Sequence, residues 1–165
     1  MENHHPTVDK IKDLLDQNGC QYEYFEHEAV RTSAEAAATR AFTGYQLHQG
    51  AKAIIVRAKE PGKGKRFFMF VVPGDKRFDT AKIEKTLGLK EIRFATEDEV
   101  KEVTGGILVG GVPPFGNLFG LEVVADASLL NNERIVFSAG DRCVSMSIKS
   151  EDYKKVVNPR VEDIV

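Results

Sequence analysis

A chain of 165 residues with 42% apolar and 29% charged side chains has enough hydrophobic material for one core and too much for a disordered segment. Its net charge of −2 excludes general, charge-driven nucleic-acid binding, and its two cysteines, Cys20 and Cys143, lack CxxC spacing and read as free thiols in a reducing compartment. No basic start followed by an apolar stretch marks a signal peptide, and runs such as FFMFVVP are far too short to cross a bilayer, so a cytoplasmic protein without membrane contact is expected.

In chain order, PTVDKIKDLLDQNG predicts a first helix, capped by Thr7, striped by Val8, Ile11, Leu14 and Leu15, and stopped by Gly19. QYEYFEHE alternates as a short strand. TSAEAAATR opens with Thr32 and Glu35 at capping-box spacing and continues through strong helix formers. AKAIIVRAK and RFFMFVVP are strands joined by EPGKGK as a hairpin loop. DTAKIEKTLG runs as a helix from an Asp79 cap to a Gly88 stop, EIRFAT is a strand, and TEDEVKEVTG is a helix with a capping box at Thr96 and Glu99. GILVGGVPPFG cannot be helical and reads as a passage from strand to loop. LEVVADASLL, RIVFSAG and CVSMSI are further strands, with Asn131 and Asn132 forming a turn, and SEDYKKVV closes as a helix. Strands outnumber helices and hairpins mix with crossovers. The expected fold is a single α/β domain over residues 1–165, with a mixed, curved or barrel-like sheet flanked by helices.

Familiar chemistries are mostly excluded. His4, His5, His27 and His48 have no spacing that would place a pair on one face of an ordered element, and His4 and His5 fall in an end expected to fray, so no metal is expected. EPGKGKR fails the phosphate-loop pattern because Arg66 follows Lys65 and no helix opens there. Ser138 in FSAGD and Cys143 in DRCVS read as strand or turn residues rather than nucleophiles. Between Ala51 and Arg77 eight basic residues (Lys52, Arg57, Lys59, Lys63, Lys65, Arg66, Lys76, Arg77) face two acids, Glu60 and Asp75, a local +6. Such a patch can dock a polyanion, although a solvated lysine-rich hairpin accounts for it as well.

Two features stand out. Lys52 begins an apolar strand and, at a period of two, shares a face with Ile54 and Val56, where an ammonium is costly unless something pairs with it. GGVPPFG, Gly110 to Gly116, is a stiff loop whose N–H groups can bind a carbonyl oxygen or a developing oxyanion; taken alone it is also an ordinary tight turn.

Together HEAVRTSAEAAA, GAKAIIVRAK, FVVPGDKRFD with KIEKTLG, RFATEDEVKEVTGGILVGGVPPFG and SAGDR resemble the YbaK-type editing domains, free-standing relatives of the insertion domain of bacterial prolyl-tRNA synthetase. The likeness runs from about Val8 to Val157, nearly the whole chain. It implies a free-standing trans-editing deacylase, acting on the aminoacyl ester of a mischarged tRNA that carries a small residue such as Ala, Cys or Ser. It implies no metal, no cofactor and no protein nucleophile, with aminoacyl-tRNA as partner and a synthetase as a second one. Lys52, Gly110 and Gly111 are the expected catalytic residues, the lysine as an electrostatic anchor and the glycine amides as oxyanion donors. Pro113, Pro114, Phe115, Ser138, Phe25 and Thr32 are the expected substrate contacts, and Lys59, Lys63, Lys65, Arg66, Lys76 and Arg77 the tRNA contacts. Some members carry Tyr at the position of Phe25 and Asp at that of Ser145. These departures keep open a non-catalytic module that binds tRNA or a synthetase; a hydrolase of free amino-acid esters is a third reading.

Overall fold

The computed structural model describes residues 4–39 and 41–165, without the side chains of 33, 39 and 42. Helix α1 (Thr7–Gln17) leads to β1 (Glu23–Glu26) and α2 (Ser33–Thr39). The long hairpin β2 (Ala51–Glu60) and β3 (Gly64–Pro73) follows, then α3 (Thr80–Leu87), β4 (Lys90–Phe94) and α4 (Glu97–Thr104). After an irregular stretch come β5 (Glu122–Asp126), α5 (Ala127–Leu130), β6 (Arg134–Ser138), β7 (Val144–Lys149), α6 (Ser150–Val157) and β8 (Arg160–Glu162).

The expected mixed sheet flanked by helices is divided in two. One sheet has the order β1-β7-β6, the other β4-β2-β3-β5-β8, with β3, β5 and β8 parallel and the rest antiparallel. A single parallel bridge, Gly50 to Val136, joins them. Both faces of the larger sheet are buried. Ala51, Ile55, Met69 and Val71 face the main core with α1, β6 and β7, while Val56, Phe68, Phe70 and Val72 face a second core closed by Ile83, Leu89 and Ile164. That double burial is why FFMFVVP is a continuous apolar run rather than an alternating one.

Local chemistry accounts for several boundaries. Asp79 accepts from the Ala81 and Lys82 amides, and Gly88 ends α3 with φ at 70°. Thr96 and Glu99 form a reciprocal capping box, and Gly105 closes α4 at φ 75°. The start of α1 differs from expectation: Pro6 sits at the cap, and the Thr7 N–H is met by His5 Nδ1 at 3.2 Å. His5 Nε2 lies 3.0 Å from the Gly105 carbonyl and His4 Nε2 3.1 Å from Glu26, so these two histidines are tied down rather than frayed. In α2 the Glu35 amide donates to Thr32 Oγ1, but the Glu35 carboxylate reaches back to the Arg31 amide, completing only half the expected box. The expected helix runs to Arg40, which lies outside the described residues. LEVVADASLL is not all strand, because Asp126 accepts from the Ser128 amide and starts the short α5. β8, close to the C-terminus, was not foreseen.

Phe115 is fully buried, edge-on to Phe137 and Tyr153 with ring centroids 5.2 and 5.9 Å away. The buried Tyr153 hydroxyl donates to the Pro114 carbonyl at 2.6 Å, and burial pushes its pKa far up. This bond pins the far half of GGVPPFG to α6. Tyr153→Phe leaves that carbonyl unpaired and is expected to cost about 1–3 kcal/mol in denaturant unfolding.

Candidate active site

The strands that begin at Ala51 and end at Phe94 and Ser138 leave a gap between the two sheets. A cavity of about 390 Å³ occupies it, closed by the Val30–Thr32 segment, α2 and the Val109–Val112 loop. Lys52, Gly110, Ser138 and Thr32 all line it, residues from distant parts of the chain converging on one space. Much of the remaining wall is small and apolar, with Ala36, Ala53, Ala95, Val100 and Val112, while Arg31, Tyr45, Gln46 and Phe94 add larger or polar groups.

Lys52 reaches the cavity because it lies two residues beyond the Gly50 bridge, where β2 leaves the shelter of the smaller sheet. Its Nζ donates to the Lys76 carbonyl at 2.6 Å. That carbonyl belongs to the turn after β3, closed by the Lys76 amide on Pro73 O at 3.0 Å. Burial lowers the Lys52 pKa from its ordinary 10.5, the nearby Arg77 lowers it further, and Asp75 partly opposes them. The ammonium is thus half-buried, held by a neutral dipole, and positioned in an apolar wall.

Gly110 has φ 96°, and a Cβ there would lie 2.6 Å from the Val30 carbonyl oxygen and 2.8 Å from Arg31 Cα. Only glycine permits this approach of the loop to the Val30–Thr32 segment. No acceptor for the Gly110 N–H occurs among the described residues. Gly111 differs. Its amide is spent on Leu108 O at 2.9 Å, and its carbonyl accepts from Gly140 at 2.8 Å, which fastens the loop to the SAGDR turn. The expectation of two glycine donors therefore reduces to one, Gly110, because the Gly111 amide closes a turn.

Two further expectations change. Pro113, Pro114 and Phe115 are buried core residues away from the cavity wall, since the loop dives between β6 and α6 after Val112. Phe25 pairs with Ser145 across β1 and β7 and is not a wall residue either. Ser145 is fully buried, 2.6 Å from His27 Nε2, while His27 Nδ1 faces the Glu28 carbonyl at 2.7 Å. The carbonyl assigns the proton to Nδ1, so Ser145 donates to Nε2.

The basic patch also divides. Lys76 and Arg77 are exposed beside Lys52, whereas Lys59, Lys63, Lys65 and Arg66 sit at the hairpin tip, about 23 Å along β2. At the tip much of the charge is paired: Arg66 with Glu60 at 2.6 Å and Glu122 at 2.5 Å, Lys63 with Glu60 at 3.4 Å, Lys65 with Glu91 at 3.9 Å. Charge reversal at Lys63 and Lys65 is therefore expected to change tRNA affinity less than twofold. Lys76→Glu with Arg77→Glu should lower it at least tenfold and flatten its salt dependence, measured by filter binding.

Two wall residues escaped sequence reading. Phe94, at the mouth, is 65% exposed, with its ring 5.3 Å from Phe78. Tyr45 is held by a polar network: Arg134 Nε donates to its hydroxyl at 2.9 Å, and that hydroxyl donates to Glu23, which also accepts from Ser147 at 2.7 Å. Those hydrogen bonds, with Arg134, hold the Glu23 carboxyl below the usual carboxylate range. A tyrosine in YQLHQ carries no spacing signal; only the fold makes it a wall.

Residues 27–156 match the family model of the aminoacyl-tRNA editing domain. The chain belongs to the aminoacyl-tRNA editing domain family. It is 30% identical over 156 residues to the multifunctional Ser/Thr-tRNA deacylase ProXp-y of Escherichia coli K12, covering 94% of this chain and 90% of that protein. It is 29% identical over 129 residues to the proline–tRNA ligase of Cupriavidus necator, covering 78% of this chain but only 22% of the ligase. A solved structure of a candidate trans-editing enzyme for prolyl tRNA synthetase superposes with a TM-score of 0.79 at 26% identity, covering 98% of each chain. Among the described residues no group of three or more His, Cys, Asp or Glu could hold a metal, no helix is long and apolar enough to cross a membrane, and Cys20 and Cys143 are not joined in a disulfide.

Proposed function

We propose that this protein is a free-standing deacylase that hydrolyses the ester of tRNA mischarged with a small amino acid, such as Ala, Cys or Ser, or Thr as in the Escherichia coli relative's name. The observation that carries the reading is the convergence of Lys52 and Gly110, distant in sequence, on the lining of one largely apolar cavity.

An aminoacyl ester is already activated, so the protein's task is positioning and charge stabilisation. Water adds to the acyl carbon as it gives up a proton, the carbonyl oxygen becomes an oxyanion, and collapse breaks the bond to the ribose oxygen, which takes up a proton from solvent and leaves as a hydroxyl. The Gly110 N–H is the donor suited to the oxyanion. Lys52 anchors the polar end of the substrate, its charge strengthened by the surrounding hydrocarbon. Phe94 offers a ring face at the mouth on which the terminal base can stack, a contact worth about 1–3 kcal/mol per base. Lys76 and Arg77 face the approaching backbone. Small walls set the sieve, because a larger side chain meets Val100 and Val112. This chemistry asks for no metal, cofactor or covalent intermediate.

A panel of mischarged tRNAs incubated with the protein tests the reading. Release above buffer hydrolysis for one or more small residues is the expected result. No release from any of them would sink it.

A further inference from the structure

The outer edge of β2 is open where it meets the cavity. In the pairing with β3, even-numbered residues of β2 point their peptide groups inward to that strand, in step with Gly50 O accepting from Gly74 at 2.8 Å. Odd-numbered residues point the other way: Ile55 O accepts from the Ala95 amide at 2.9 Å, and Arg57 lies opposite Arg93. Ala53 has the same parity, so its N–H and C=O are aimed at the same edge. Its register partner there would be Glu97, but β4 ends at Phe94 and Glu97 begins α4. On the other side, the bridge to β6 stops at Gly50. Among the described residues, one hydrogen-bonding position of the sheet is thus left without a partner strand inside the cavity that Ala53 lines.

Resting on the deacylase reading, we infer that the aminoacyl group binds as a one-residue strand opposite Ala53. Its α-ammonium donates to the Ala53 carbonyl, and the Ala53 N–H donates to its acyl carbonyl. Exchange of both bonds with one residue is the antiparallel pattern, and this fixes the direction of the bound residue. The substrate continues the course of β4. Its amino end abuts Ala95 and Thr96, and its ester end lies toward Ala51 and Lys52. The cross-strand side chain shares the face of Ala53, beside Ala95, Val100 and Val112, which all pack on the main core. The substrate class is therefore an ester of a free α-amino acid. An N-acylated residue, as in peptidyl- or formylated initiator tRNA, would drive its acyl group into the chain at Ala95–Thr96 and is spared.

The test uses the best substrate of the mischarged panel, its N-acetylated form, and Ala53→Pro. Proline removes the N–H on the open edge without breaking a bond to β3, so the variant is expected to unfold within a few degrees of wild type. The wild-type protein should accelerate N-acetylated substrate at least ~100-fold less, relative to buffer hydrolysis, than the free-amino form. Ala53→Pro should lower kcat/KM by about 10²–10³. A wild-type protein that hydrolyses both forms equally, or a folded Ala53→Pro at wild-type rate, overturns the inference while leaving the deacylase reading intact. Should Ala53→Pro fail to fold, the N-acetyl comparison decides alone. A wild-type protein inert toward every free-amino ester removes the deacylase reading and this inference with it.

Discussion

Lys52→Met is expected to lower the deacylation rate by at least ~100-fold while the protein unfolds at or slightly above its wild-type temperature. Both halves follow from the position of the ammonium. It is half-buried in an apolar wall with one carbonyl partner, so charging it is disfavoured in the folded state. Its folded pKa lies below the unfolded value, and this group therefore opposes folding wherever it is charged in the folded state. Stability rises as pH climbs from the lowered pKa toward 10.5. An unbranched apolar side chain removes that cost and keeps the packing. In catalysis the sign is opposite, because only the charged form anchors substrate. The enzymatic rate over buffer hydrolysis should fall on an alkaline limb below the ordinary lysine range, and that limb should vanish in Lys52→Met. A variant with an unchanged rate would remove Lys52 from the mechanism.

The second large effect is at Gly110. Gly110→Ala should reduce kcat/KM by about 10² and lower the melting temperature, since the new methyl meets backbone atoms that cannot swing aside. The residue would also sit at φ 96°, which an L side chain resists. Gly111→Ala is the control. Its Cβ finds nearest neighbours at 3.2–3.3 Å, the residue has no positive φ, and its amide is already committed. A milder loss is expected there, read from steady-state deacylation and thermal unfolding of both proteins. Equal losses would mean that the loop needs its shape but not the Gly110 amide.

What could be read without coordinates was what neighbours in the chain decide. The Asp79 and Gly88 limits of α3, the Thr96–Glu99 box, the hairpin of β2 and β3 and the oddity of Lys52 all rest on contacts or patterns within about a dozen residues. The family likeness added the fold and the reaction class because several such blocks occur together. The hairpin tip misled for the opposite reason. Glu91 and Glu122, which offset Lys65 and Arg66, are 26 and 56 residues away in sequence and come near only across the sheet.

The division of the Gly-Pro loop was equally hidden. GGVPPFG reads as one rigid unit, yet Gly110 faces the cavity while Phe115 fills the core against Tyr153, a residue of the last helix. Tyr45 and Phe94 became walls for want of any local signal. Ala53 is the extreme case, an ordinary alanine whose peptide group matters because β4 ends three residues short of its register partner. Side-chain identity, caps and periodicity are properties of the chain itself. Which peptide edge stays open, which amide is already spent and which charges are already paired depend on partners that only long-range packing supplies.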